Sequence, residues 1–241
     1  MKTIVIIQAR MGSSRLPGKV LMPLGQHQVL DYVVQRSRQI KGVDEVVVAT
    51  SNLPGDEAIV EWCKHHQVPF FQGSEEDVLA RYYDCARKYD PDYIIRITSD
   101  CPFVDYLMAS EVISLLKEQP LDAAKIIGEL PRGIISEMIS FDTLTYIYSH
   151  GKEPRHREHV TYYANEFSEK FQFAHYSAPT NLQHPQLRIT IDTVEDYQLC
   201  KTIAEHFNGD MLVSTEEVIQ FLFKNPEIAA LNAHIEQKPV V

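Results

Sequence analysis

The sequence predicts an α/β fold, a mostly parallel sheet flanked by helices with a small lobe inserted late in the chain. Three observations carry that prediction. Short β-branched runs such as Thr3–Gln8 (TIVIIQ) and Glu45–Thr50 (EVVVAT) lack polar alternation, as expected of strands covered on both faces. Helical patterns lie between those runs, and a strand–helix–strand order implies parallel pairing. With 241 residues, 44% apolar and 23% charged, the chain can bury a full core without disulfide or metal staples.

After Thr3–Gln8 and a loop rich in Gly, Ser and Pro, Val29–Ile40 places Val29, Leu30, Val33, Val34 and Ile40 near one helix face. Glu45–Thr50 is the second strand. Asp56–His66 is a helix with Asp56 as its N-cap, and Val68–Gln72 is the third strand. The helix Asp77–Tyr89 follows Gly73-Ser74. Tyr93–Thr98 (YIIRIT) is the fourth strand, and the helix Tyr106–Gln119 stops at Pro120. Beyond residue 120 the order is less regular. Leu121–Ile127, Ile135–Ser140, Phe171–Ser177 and Arg188–Ile191 read as strands. Phe141–His150, Arg157–Asn165, Val194–Asn208 and Thr215–Phe223 read as helices. The whole chain forms one domain, with the small lobe at about 128–180 set before the last core strand and helix.

The formal charge of −10, with no Lys/Arg run, argues against a nucleic-acid partner. No basic amphipathic helix or membrane-spanning run is present, so no membrane partner is expected. Cys63, Cys85, Cys101 and Cys200 form no Cys-x-x-Cys pair and read as reduced thiols, which fits a cytoplasmic protein. The apolar run at Met1–Ile7 is too short for a signal peptide.

In parallel sheets, ligands collect beyond the carboxyl ends of the strands. Strand one runs into Gln8-Ala9-Arg10-Met11-Gly12-Ser13-Ser14-Arg15-Leu16-Pro17-Gly18-Lys19. Three cations among Gly and Ser, in an acidic chain, read as a polyphosphate cradle. Gly admits close backbone approach, Arg offers a forked donor, and Lys supplies a compact charge. A Walker A loop does not fit, because five residues separate Gly12 from Gly18-Lys19 and Val20 stands where Ser/Thr should be.

The segment Ile7–Lys19 resembles the signature of the cytidylyltransferases that activate Kdo and the sialic-acid-like nonulosonic acids. The resemblance continues through Val47–Ser51, Gly73–Tyr83, Arg96–Pro102, Arg157–Thr161 and Ile191–Asp196, and so covers most of the chain. It implies a glycosyltransferase-A-like nucleotide-binding fold, CTP as donor, an acidic sugar as acceptor, Mg²⁺ as cofactor, and a homodimer built through the later lobe. It assigns Asp100 and Asp192 to the metal. Each follows a strand on the ligand side of the sheet, and Mg²⁺ takes oxygen ligands, often one or two carboxylates plus phosphate. Both positions also suit helix caps, Asp100 before the helix after Pro102 and Asp192 before Val194–Asn208.

The loop residues Gln8, Ala9, Arg10, Gly12, Ser13, Arg15 and Lys19 are expected around the nucleotide, with Arg10 and Lys19 also catalytic. Thr50, Ser74, Asp77 and Arg81 are candidate nucleoside contacts from the resemblance, with a capped helix start as the alternative. A sugar carboxylate calls for a cation, and Arg157 and Arg188 are the candidates. Arg157 belongs to the cluster Arg155-His156-Arg157-Glu158-His159, whose spacing matches no usual zinc pattern. The sequence departs from the family at Ile135, where an aspartate commonly precedes Glu137 by two residues, and at Ser99, where Gly is usual. An Asp-x-Asp metal motif of glycosyltransferases has its nearest match in Asp90-Pro91-Asp92, ahead of a strand. A nucleotide-sugar-dependent glycosyltransferase, a sugar-1-phosphate nucleotidyltransferase or a non-catalytic nucleotide-binding partner are the alternatives.

Overall fold

The computed structural model describes residues 1–237. In chain order the elements are β1 (Thr3–Gln8), the small hairpin β2 (Pro23–Leu24) and β3 (His27–Gln28), α1 (Val29–Arg38) and β4 (Glu45–Ser51). Next come α2 (Glu57–His65), β5 (Phe70–Gly73), α3 (Val78–Tyr89), β6 (Tyr93–Thr98) and α4 (Tyr106–Glu118). The second half holds β7 (Ala123–Ile127), β8 (Glu137–Ser140), α5 (Phe141–His150), α6 (Pro154–Glu158), α7 (Tyr162–Glu166) and β9 (Phe173–Ser177). Helices α8 (Val194–His206), α9 (Thr215–Lys224) and α10 (Pro226–Ala229) close the fold.

Seven strands form one sheet in the order β5-β4-β1-β6-β8-β7-β9. Strands β5, β4, β1 and β6 are mutually parallel, β8 runs antiparallel to β6 and β7, and β9 lies parallel to β7. The missing polar alternation in β1 has a direct cause. Val5 and Ile7 pack into one apolar layer with Leu30, Val33, Ile59 and Val112, while Ile4 and Ile6 pack into the other with Leu79, Tyr82 and Leu144. Burying each such side chain contributes roughly 1.5–3 kcal/mol. Helices α1, α2 and α4 supply the first layer, and α3 with α5–α7 the second.

Residues 128–180, expected as an inserted lobe, place β8 and β9 within the central sheet and α5–α7 on one of its faces. Arg188–Ile191 is not a strand. It makes one bridge, Arg132 with Arg188, and its backbone ties two loops, through Ile189 N–H to Arg132 O at 2.7 Å and Ile191 N–H to Asp100 O at 2.8 Å. The helix expected over Arg157–Asn165 is broken into α6 and α7 at His159–Thr161. Among the described residues no helix is long and apolar enough to cross a membrane, and all four cysteines are free thiols.

Three acidic cap readings are corrected. Asp56 makes no cap bond to α2. It is buried and accepts from Met11 N–H at 2.6 Å and Ser51 Oγ at 2.5 Å, tying the loop after β1 to the end of β4. Asp105 caps α4 by accepting from Met108 N–H. Thr193 caps α8, in a capping box with Asp196. Asp100 and Asp192 are therefore not needed as caps.

Candidate active site

The carboxyl ends of β1 and β6 open onto a cleft walled by the Arg10–Lys19 loop, the β7–β8 loop, α6 with His159, and the segment 188–192. Its larger part, about 910 Å³, is lined by residues including Arg15, Arg96, Asp100, Arg132, Glu137 and Asp192. An adjoining part of about 270 Å³ is lined by Gln8, Arg10, Ser13, Lys19, Ser99 and Asp100, among others. A site of this size accommodates a ligand of nucleotide or sugar dimensions.

The loop is folded on itself. Gly18 lies at φ +71, a left-handed conformation that glycine adopts without penalty, and its N–H reaches Met11 O at 2.9 Å. The turn delivers Lys19, 8% exposed, into the cleft floor. There its ammonium donates to Asp100 Oδ2 at 2.8 Å, Asp192 Oδ1 at 2.9 Å and Ile191 O at 2.5 Å. Burial pulls the Lys19 ammonium down, but Asp100 and Asp192 outweigh it and hold it above its ordinary value. Burial likewise pushes the Asp192 carboxyl up, and Lys19, Arg15 and Arg188 overcome it, leaving Asp192 below the usual carboxylate range. Arg15 pairs with Asp192 at 3.0 Å, and Arg10 pairs loosely with Glu75 and Glu158, both at 3.3 Å. Gly12 and Ser14 make no hydrogen bond among the described residues, so their N–H groups are available to an anion.

Asp100 and Asp192, distant in sequence, thus lie on either side of one cation. The Lys19 ammonium fills the position between the two carboxylates, so a hard divalent ion fits there only once Lys19 turns to another anion. Among the described residues no group of three or more His, Cys, Asp or Glu side chains could hold a metal. An ion here would complete its shell with phosphate or water oxygens, the habit of Mg²⁺.

The other expected residues are distributed unevenly. Gln8 lines the cleft, and its Oε1 accepts from Arg96 Nη2 at 3.4 Å. Ala9 is buried, with its N–H on Ala49 O. Ser13 lines the cleft and its Oγ accepts from Leu16 N–H. Ser74 and Asp77 build the start of α3: Ser74 Oγ accepts from Asp77 N–H, and Asp77 accepts from Ala80 N–H. Arg81 is buried, with Nη1 on Ser74 O at 2.6 Å, while its Nε and Nη2 are buried without partners. Thr50 is buried with its hydroxyl likewise unpartnered.

Arg157 and Arg188 do not face the cleft as carboxylate receptors. The Arg157 guanidinium is closed by Asp77, lies over the Tyr148 ring, and donates to Tyr148 O and Gly151 O. Arg188 donates to Asp196 Oδ1 at 2.8 Å and Asp192 Oδ2 at 2.6 Å, so it holds Asp192 in place from behind. Asp196 is fully buried and accepts also from Asp192 N–H and Asn232 Nδ2. Asp90 and Asp92 stand at the far end of β6 from the cleft, where Asp92 accepts from Lys2 N–H. No metal motif of the Asp-x-Asp kind reaches the site from there.

Sequence reasoning missed four cleft residues. Arg96 on β6 and Glu137 on β8 are direct cross-strand partners joined at 2.6 Å. A charge inside the apolar run YIIRIT was the available signal. His159 lines the cleft beside Arg96, and burial, then Arg96, pulls its imidazole below the ordinary value. Arg132 lines the larger part, on the β7–β8 loop. Ile135 is 43% exposed in the same wall, where the resemblance has an acid.

Known proteins similar to this chain agree on the family. Residues 4–238 match the cytidylyltransferase family model. The spore coat polysaccharide biosynthesis protein SpsF of Bacillus subtilis is 38% identical over 231 residues, 94% of this chain and 96% of that protein. A solved cytidylyltransferase of Leptospira borgpetersenii superposes with a TM-score of 0.88 at 33% identity, covering 99% of this chain and all of that one. CMP:2-keto-3-deoxy-manno-octonic acid synthetase in complex with CTP shares the fold at a TM-score of 0.66 and 19% identity, over 86% of this chain and all of its own. The chain belongs to the cytidylyltransferase family and is a nucleotidyltransferase.

Proposed function

We propose that the protein transfers CMP from CTP to a sialic-acid-like (nonulosonic) sugar acid, releasing pyrophosphate. The observation that carries this reading is the Lys19 ammonium held between Asp100 and Asp192, beside a loop whose Gly12 and Ser14 N–H groups lack acceptors among the described residues. The names of relatives support its coarser part: SpsF is named for spore coat polysaccharide biosynthesis. A 3-deoxy-manno-octulosonate cytidylyltransferase of Geotalea daltonii is 32% identical over 138 residues, 56% of this chain and 52% of that protein.

In this reading Arg10, Arg15 and Lys19 receive the triphosphate, exchanging their carboxylate partners for phosphate oxygens. Loop N–H groups add neutral donors to the same anion. Asp100 and Asp192 would hold Mg²⁺, which when bound neutralises phosphate charge and lowers the pKa of a coordinated hydroxyl. The remaining contribution of the chain is alignment of the sugar hydroxyl with the α-phosphorus and stabilisation of the developing charge. Arg188 and Asp196 fix Asp192 for that task. Gln8, Thr50, Ser74 and Arg81 stay as the candidate nucleoside contacts; Gln8 lines the cleft, while the unpartnered groups of Thr50 and Arg81 are fully buried and reach a base or ribose only if the chain over them opens. A cytoplasmic homodimer belongs to the same reading, and the exposed Ile127 and Tyr146 offer apolar surface to a second copy.

Calorimetric titration with CTP, UTP, ATP and GTP, each with and without Mg²⁺, tests the donor. Selective, Mg²⁺-dependent CTP binding is expected, followed by pyrophosphate release with a sialic-acid-like acceptor. Preference for UTP would overturn the assignment.

A further inference from the structure

Four cations line the cleft beyond Arg10: Arg15, Lys19, Arg96 and Arg132. Three of them already face carboxylates, Arg15 on Asp192, Lys19 on Asp100 and Asp192, and Arg96 on Glu137. The Arg132 side chain makes no hydrogen bond or ion pair among the described residues. Arg132 is exposed, and no carboxylate among the described residues meets its guanidinium, which leaves it open to an anion entering the cleft.

Its backbone, by contrast, is tightly held. Arg132 N–H donates to Leu187 O at 3.1 Å, and Arg132 O accepts from Ile189 N–H at 2.7 Å. Gly133 follows at φ +98, where an added Cβ would stand 2.2 Å from Ile189 O, so no other residue fits without moving the backbone. Ile134 O then accepts from Asp105 N–H at 2.8 Å. The side chain therefore leaves a fixed platform, a cost-reducing arrangement for a binding group. Burial and the neighbouring Arg188 pull the guanidinium below its ordinary value, while Asp192 and Asp100 act the other way.

We propose that Arg132 is the receptor for the acceptor's carboxylate and a specificity-determining residue of this enzyme. The proposal rests on the reading of CMP transfer to a sugar acid. In a 2-keto sugar acid the carboxyl carbon is bonded to the anomeric carbon that carries the attacking hydroxyl. The carboxylate must therefore bind close to the reacting centre, on the wall shared with Asp100 and Asp192. Arg132 lines that wall, and its fork can take both carboxylate oxygens.

The test uses the full chain saturated with CMP, which cannot react, titrated calorimetrically with N-acetylneuraminic acid and with Kdo. Wild type, Arg132→Met and Arg132→Lys are compared, with thermal melts to verify folding. The expected result is binding of at least one acid by wild type, weakened about 10- to 100-fold in Arg132→Met and less in Arg132→Lys, with CMP affinity unchanged in all three. Equal acid affinity in wild type and Arg132→Met overturns the proposal, as does wild type that binds CMP but neither acid. Failure of CMP itself to bind removes the underlying reading, and the proposal with it.

Discussion

The two ends of the cleft are built on opposite electrostatic plans. At the loop end every cation has an internal anionic partner: Arg10 has Glu75 and Glu158, Arg15 has Asp192, and Lys19 has two aspartates. At the other end Arg132 has none among the described residues, and its neighbour Ile135 is exposed. A polyphosphate carries enough charge to displace carboxylates from three cations at once. A single carboxylate does not, so a receptor for it is better left unpaired. The paired end is also the deeper one, where unpartnered charges would carry a large desolvation penalty.

The largest expected effect separates charge from packing at the loop end. Asp100→Asn keeps the shape of the side chain and removes one of the two anions flanking Lys19. Turnover should fall on the order of 10³-fold or more, the equivalent of several kcal/mol of charge stabilisation. The Tm should move little, because the Asn oxygen can still accept from Lys19, which keeps Asp192 as its anion. Activity close to wild type would remove Asp100 from the mechanism.

A second, smaller effect reads on stability. Asp196 is fully buried and meets Arg188 through both carboxylate oxygens while accepting two backbone N–H groups, of Asp192 and Thr193. Asp196→Ala leaves Arg188 with Asp192 and the Gln237 amide oxygen, and breaking a buried pair costs roughly 3–5 kcal/mol. Denaturant melts should show that loss, and CTP affinity should fall with it because Asp192 loses its support. A loss below about 1 kcal/mol, the scale of an exposed ion pair, would mean that this carboxylate is not the hub of the segment.

The same contrast marks what the sequence reveals. Strands β1, β4 and β6 are buried on both faces, so their composition alone identifies them, and the Gly/Ser/Arg loop after β1 advertises its chemistry locally. Segment 188–191 has the composition of a strand, but its backbone groups pair with isolated loop residues, which only the tertiary fold decides. Arg157 was a reasonable carboxylate receptor by residue type. Its engagement by Asp77 spans 80 residues, and no local pattern encodes it. Arg132 carries no sequence signal for the converse reason, since the lack of a partner is a property of three-dimensional surroundings. The charge within YIIRIT was legible, because an arginine inside a buried parallel strand demands a partner.

The smallest expected effect lies where the two ends meet, at His159. Burial and the Arg96 charge hold its imidazole below 6.5. A depressed base binds fewer protons in the folded state, so it contributes stability that is full above pH 6.5 and is lost as pH falls below that value toward the folded-state midpoint. An NMR titration of the His159 ring should therefore place its midpoint below 6.5. Arg96→Met removes the repelling cation and leaves the burial, so the midpoint should rise while remaining under the free value. A midpoint at or above 6.5 in the wild type would show that Glu158 and Glu137, which act in the opposite sense, dominate at this junction. The junction would then be an anionic stretch between two cationic ends, and an acidic acceptor would have to cross it to reach the phosphate.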